Sequence, residues 1–265
     1  DDPTTLGQEM YKDLLKSYGD GRKEALKRYT QAYLASVTAV DEVVGQILDA
    51  LDQTRYKDNT IVVFTSDNGY QLGQKDYLGK NLLWQTNTRV PLVVRVPGMT
   101  TTKESSVVRA TNRPVTLVDL YPTLIDLCDL STNTIKNANS KPLDGHSLRP
   151  FLEARSSNSN EDAVVTWDGP DFALSALSYF KDPSDMLGIS FTTRYDHWRY
   201  VRYANGNEEL YYTLEDPFEW TNLAYSENGA SASETYSWLL KKFRKDLFDF
   251  VQSPNDVSPE CADSK

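Results

Sequence analysis

The segment Thr60-Ile61-Val62-Val63-Phe64-Thr65-Ser66-Asp67-Asn68-Gly69 constrains this chain more than any other. Its apolar, mostly β-branched start lacks polar alternation. That predicts a strand covered on both faces, as in a parallel α/β sheet. In open α/β sheets, ligands bind beyond the carboxyl ends of the strands, and Asp67 and Asn68 stand there. A carboxylate beside an amide carbonyl suits a hard cation such as Ca2+ or Mg2+. Gly69 lets the backbone turn away behind them. Asp-Asn-Gly after a strand is also a common turn sequence, and on these three residues alone the turn is the favoured reading.

The flanking pattern supports an α/β arrangement. A helix is predicted from Lys23 to about Asp52, with Val40, Val44, Ile47, Leu48 and Leu51 on one face and Tyr29, Tyr33 and Val37 extending the stripe. Before it, residues 1–22 are mostly polar, with a turn at Gly19-Asp20-Gly21. Past Gly69 come Lys75 and Lys80, then Arg89. The Lys80 ammonium can neutralise and orient an oxyanion near a metal, or be one more solvated lysine. Arg89 reads as the partner of an internal carboxylate. Val90–Val96 is the next strand, stopped by Pro97-Gly98. A helix follows over Asp119–Leu127, capped by Asp119, with Pro122 tolerated in its first turn.

After Asn160 the character changes. Ala163–Trp167, Gly188–Arg194, His197–Tyr203 and Glu209–Thr213 read as strands, and Asn205-Gly206 marks a hairpin between the last two. Apolar residues at helical spacing over Ser233–Val251 predict a helix packed on that sheet. The expected organisation is an α/β part, residues 1–155, followed by a small α+β part, residues 156–265.

Charge narrows the function. Asp and Glu number 38 against 28 Lys and Arg, a net charge of −10 in 265 residues. That argues against a nucleic-acid or anionic-membrane binder, which needs clustered cations, but leaves room for one focused basic pocket. No stretch has the apolar length of a transmembrane helix. The first residues, Asp1-Asp2-Pro3, are not those of a signal peptide. The two cysteines, Cys128 and Cys261, form no metal-type pair. Cys128 lies in an apolar run and is expected to be a buried thiol. The two histidines, His146 and His197, are far apart in sequence, which disfavours a His-rich metal site.

Together, Thr60–Gly69, Leu72-Gly73, Gly79-Lys80, Thr88-Arg89-Val90-Pro91-Leu92 and Val96-Pro97-Gly98 resemble the type I, formylglycine-dependent sulfatases of the alkaline phosphatase-like superfamily. The resemblance extends to Tyr33–Leu51, Val118–Leu124, Leu143-Asp144-Gly145-His146-Ser147-Leu148, Glu209-Leu210-Tyr211 and Glu215–Leu223. Trp84 and Glu219-Trp220-Thr221-Asn222-Leu223 lean toward the iduronate-2-sulfatase and choline-sulfatase-like branch. That branch often carries His where Asn68 stands. The implied fold is part of an α/β/α sandwich followed by a small antiparallel sheet with a packed helix.

The resemblance implies that Asp67 and Asn68 are metal ligands, for Ca2+ or alternatively Mg2+, and that Lys80 contacts the substrate sulfate. Tyr77 stands where relatives often carry His and is given no catalytic role. Trp167, Asp168, Phe172, Arg194 and His197 are candidates for contacting the alcohol part of a sulfated small molecule or glycan, against plain alternatives of core packing, a turn and a surface position. The Cys/Ser-x-Pro-x-Arg motif that yields the formylglycine nucleophile does not occur in this chain, nor does the family's paired-aspartate strand. The resemblance therefore implies the C-terminal half of a sulfatase, inert alone, whose partner is the N-terminal half as a separate chain or preceding segment. The alternatives are a phosphonate or phosphate monoester hydrolase of the same superfamily, and an inert glycan-binding or assembly fragment. The family implies a secreted or periplasmic setting. With no Asn-x-Ser/Thr sequon present, a lysosomal one is less expected.

Overall fold

The computed structural model describes residues 5–19, 21–100, 111–134, 142–153, 165–178, 188–225 and 234–251. The expected boundary near Ser156 lies outside them, as do Cys261 and the loop over residues 155–160. Two compact units emerge: residues 1–80, 89–111 and 117–169 form one, and residues 81–88, 112–116 and 170–265 the other.

In the first unit, α1 (Thr5–Lys16) was not foreseen, and α2 (Arg22–Asp52) falls within a residue of expectation. Helix α1 contacts α2 and the short hairpin β2–β3 (Gln71–Leu72, Leu78–Gly79). It does so through a glycine: a Cβ on Gly7 would sit 2.0 Å from Cζ of Tyr77, whose ring occupies that space. Tyr77 is 2% exposed, so it is a packing residue. Strands β1 (Val62–Thr65) and β4 (Leu92–Arg95) pair antiparallel, with Val62 opposite Arg95 and Thr65 opposite Leu92.

The expected two-faced cover is not supplied by the described residues. Phe64 is 40% and its cross-strand partner Val93 58% exposed. Along α2 only Ala25 is buried, and Val37, Val40 and Ile47 of the foreseen stripe are exposed. The apolar pattern is real, but its cover is not among these residues.

Helix α4 (Leu120–Leu127) follows a 3-10 turn at Leu117–Asp119. Asp119 precedes it as expected but makes no side-chain cap bond. Its buried carboxylate instead accepts the His146 N–H at 2.9 Å. Thr123 Oγ1 accepts Leu148 N–H at 2.8 Å, which ties the Leu143–Leu148 loop to the helix. Gly145 is required there, because a Cβ would lie 2.2 Å from the Val118 carbonyl oxygen. Helix α5 (Arg149–Glu153) is one short turn, held by Arg149 to Asp126 and Glu153. Cys128 caps α4 and is exposed, correcting the expected buried thiol: the helix ends there and the residue falls on its outer side.

The second unit holds the short α3 (Gln85–Thr88) and an antiparallel sheet in the order β5-β6-β7-β8: Ala173–Ser178, Ile189–Arg194, Trp198–Arg202 and Glu208–Tyr212. The foreseen strand at Ala163–Trp167 is absent over its described residues, 165–167, and β5 takes the outer place instead. At the hairpin Gly206 has φ +88°, the left-handed geometry that Asn-Gly supplies. Helix α6 (Glu234–Val251) lays Leu239, Leu240, Phe243 and Leu247 on the sheet, against Phe172, Phe191, Tyr195, Tyr200 and Leu210. This is the largest buried apolar cluster among the described residues, and Phe172 belongs to it.

Candidate active site

The strand tip carries the candidate metal ligands. Beyond Thr65 the ladder stops, and short local bonds shape the turn. Ser66 Oγ donates to the Asn68 carbonyl at 2.9 Å, and Asn68 N–H donates to Asp67 Oδ1 at 3.0 Å. The Asn68 amide nitrogen donates to the Gly69 carbonyl at 3.0 Å. That commits the nitrogen of Asn68, while its Oδ1 accepts no hydrogen bond among the described residues. Asp67 is exposed, and among the described residues its carboxylate has no cationic partner. The second Asp67 oxygen, Oδ2, and Asn68 Oδ1 accept no hydrogen bond among the described residues and are of the hard-cation donor type. A Ca2+ ion takes about six to eight oxygens, and among the described residues no group of three His, Cys, Asp or Glu converges. The residues fit part of a metal site.

Lys80 reaches the same end by topology. From Tyr70 the chain enters β2, turns through a 3-10 segment at Gln74–Asp76, and returns as β3. Gln71 pairs with Gly79. Lys80 is therefore the first residue past the pairing on the side of Tyr70, which follows Gly69. Four positive φ values shape the strap, at Gly73, Lys75, Asp76 and Gly79. Gln71, buried, donates to the Gln74 carbonyl at 3.0 Å. Lys80 itself is exposed and has no ion-pair partner among the described residues. The same holds for Arg89, so the carboxylate partner expected for it is not found. Below the tip, the Tyr29 and Tyr70 hydroxyls lie 2.7 Å apart. Burial first, and the Tyr70 hydroxyl second, push the Tyr29 phenol up to about 12, so it stays neutral in any physiological range.

The other candidates sit elsewhere. Trp167 Nε1 donates to the Ser147 carbonyl at 2.9 Å, and the ring meets Phe151 and His146 edge-on. Asp168 is exposed, 3.4 Å from His146 Nδ1. Both belong to the Leu143–Leu148 neighbourhood of the first unit. Arg194 and His197 belong to the second unit. Arg194 donates to Thr213 Oγ1, and His197 Nε2 lies 3.2 Å from Asp196.

One constellation went unseen in the sequence. Arg199 and Glu219 form an ion pair in the second unit, 2% and 1% exposed. Glu219 Oε2 also accepts Gln85 N–H at 2.8 Å, and Arg199 donates to the Leu83 carbonyl at 3.3 Å. Trp84 Nε1 reaches Glu209 at 2.8 Å. The segment Leu83–Gln85 is thus held within the second unit. Burial lowers the Arg199 pKa while the Glu219 carboxylate opposes that. The signal was an arginine inside the aromatic, β-branched run Trp198–Val201.

The family model described as "Sulfatase" matches residues 6–130. A sulfatase of Formosa agariphila is 32% identical over 82% of this chain and 36% of its own length. An N-acetylglucosamine-6-O-sulfatase of Bacteroides thetaiotaomicron is 27% identical over 87% of this chain and 39% of its own. The crystal structure of a phosphonate monoester hydrolase of Agrobacterium radiobacter superposes with a TM-score of 0.61 at 26% identity, covering 82% of this chain and 40% of that one. The chain thus spans about two-fifths of the length of these relatives. The match to the Formosa agariphila sulfatase, with the family model over residues 6–130, leads to one conclusion: the chain belongs to the sulfatase family.

Proposed function

We propose that this chain is part of an enzyme that hydrolyses a sulfate ester, on a sulfated carbohydrate, at a site centred on Asp67, Asn68 and Lys80. The observation that supports this reading is that Asp67 and Asn68 follow the end of β1 while the β2–β3 pairing brings Lys80 back beside Tyr70, two residues past Asn68. The carbohydrate reading draws on the sugar sulfatase among the relatives. A Ca2+ or Mg2+ ion held there supplies charge neutralisation to the bound ester, and a formylglycine on polypeptide outside this chain supplies the nucleophile. Asp67 gives a carboxylate oxygen and Asn68 an amide oxygen to the ion. Lys80 places its ammonium on a sulfate oxygen and holds the ester while negative charge grows on the leaving group. The partner is the N-terminal half of the same sulfatase, and the setting is secreted or periplasmic.

The phosphonate monoester hydrolase likeness favours a second reading, in which the same residues hold a phosphonate or phosphate ester. Turnover of 4-nitrophenyl sulfate against 4-nitrophenyl phenylphosphonate by the complete natural protein separates the two. Sulfate turnover is expected to dominate, and Lys80→Ala to lower its kcat/KM by about a hundredfold or more, the scale of losing one charged stabilising group. Preference for the phosphonate, or an unaffected Lys80→Ala variant, overturns the sulfatase reading.

A further inference from the structure

Two ligand oxygens on a turn are useful only if the turn is held. The tip Ser66–Gly69 is anchored on one side by the β1–β4 ladder, whose last pair is Thr65 with Leu92. On the other side stands Gly69, the softest backbone position in the segment. What fixes the chain immediately beyond it is Tyr70. The Tyr70 hydroxyl lies 2.7 Å from the Tyr29 hydroxyl, and the Tyr70 ring stacks on Tyr33 with centroids 5.8 Å apart and planes at 27°. Tyr29 and Tyr33 are four residues apart in α2, hence on one face of a long continuous helix. They grip the same side chain by two different contacts. A helix interior is a rigid support, and metal ligands must be held within about half an ångström of their working geometry.

We propose that Tyr29 and Tyr33 are positioning residues for the metal: through Tyr70 they lock the far side of the Asp67–Asn68 turn, and so set the affinity of the site for a divalent cation. This rests on the reading of Asp67 and Asn68 as metal ligands. Tyr29 touches neither ion nor substrate. Its hydroxyl and that of Tyr70 share one hydrogen bond, so removing either oxygen removes the same contact.

The test is a calcium titration by calorimetry on the complete natural protein, stripped of metal with chelator. Tyr29→Phe and Tyr70→Phe keep the ring and delete the hydroxyl. Each is expected to weaken Ca2+ binding about three- to tenfold, the scale of one hydrogen bond. The double variant should bind no more weakly than either single one, since both remove one shared contact. Asp67→Ala should abolish binding at this site. Tyr195→Phe, which loses its bond to Asp246 in the other unit, should lower Tm and leave the Ca2+ affinity unchanged. That separates positioning from general loss of stability. Unchanged affinity in Tyr29→Phe and Tyr70→Phe, with Asp67→Ala defective, overturns the positioning role alone. An additive double variant overturns the shared contact. Unchanged binding in Asp67→Ala overturns the metal reading and this inference with it.

Discussion

Arg199 and Glu219 show how much one pair of residues can carry. Both are essentially out of solvent, and each also satisfies a backbone group of the segment Leu83–Gln85. A buried ion pair contributes little net stability when intact, yet removing one partner strands the other charge at a cost of about 3–5 kcal/mol. Glu219 also sits at φ +58°, a backbone region that costs a non-glycine residue energy. Its side-chain bonds hold it there. Glu219→Gln or Arg199→Met is therefore expected to destabilise the protein by about 3–5 kcal/mol, read as a fall in the urea midpoint. A loss below about 1 kcal/mol, the level of an exposed pair, would contradict the buried geometry. Asp67 and Lys80 differ in kind. They are exposed and have no ion-pair partner among the described residues, and the sequence singled them out only by their place after the β-branched run Ile61–Val63. Arg199 was illegible because its partner lies 20 residues away, past a hairpin that periodicity does not measure.

At the scale of elements, one part-buried carboxylate reinforces the apolar packing of α6 on the sheet. Glu208 on β8 accepts Arg244 Nε at 2.8 Å and Nη2 at 2.6 Å from α6, Arg202 Nη1 at 3.2 Å from β7, and the Tyr200 hydroxyl. Burial alone would raise its pKa. The hydrogen bonds from Arg244 and Tyr200, with the charges of Arg244 and Arg202, outweigh burial and hold it below the usual glutamate range. A carboxyl held low in the folded chain takes up its proton more readily on unfolding. Its stabilisation is complete above the unfolded pKa of about 4.3 and is lost as pH falls through the lower folded value. The expected outcome is a Tm that drops with acidification below about pH 4.3. In Glu208→Gln that dependence should be shallower and the neutral-pH Tm lower. An unchanged acid slope in the variant would remove Glu208 as its source. These elements were largely readable: α2, α6 and the Asn205-Gly206 hairpin follow from apolar spacing and turn chemistry. Strand β5 was not, because Ala173-Leu174-Ser175-Ala176-Leu177-Ser178 has no β-branched or aromatic residue, and pairing with β6 makes it a strand. Helix α1 was hidden for a related reason. It docks through a glycine and one buried tyrosine rather than through an apolar stripe.

At the scale of the whole molecule, the sequence promised a doubly covered sheet, and the described residues leave that promise open in one specific place. Phe64 and Val93 share an exposed face of the β1–β4 pair, and Leu34, Val37, Val40, Val43 and Ile47 are exposed along α2. Scattered apolar side chains on a surface need no explanation, but a continuous set on one helix and one strand pair does. The second unit has no such defect on its sheet, where α6 covers the apolar face. The unmet surface therefore lies in the unit that carries Asp67, Asn68 and Lys80, where the proposed donor set is also short of a full coordination sphere. A single polypeptide supplying strands, further oxygens and the nucleophile would meet both needs, which is why the partner proposed above is an N-terminal half rather than an unrelated protein. The consequence can be measured on Asp1–Lys265 produced alone. It is expected to bind a hydrophobic dye such as ANS strongly, to self-associate as its concentration rises, and to show no turnover of 4-nitrophenyl sulfate with Ca2+ present. Co-expression with the proposed N-terminal half should suppress the dye signal and restore turnover together, because one contact surface would govern both. Turnover by Asp1–Lys265 alone would show that the chemistry needs nothing from outside this chain. Restored turnover with an undiminished dye signal would place the partner on some other face.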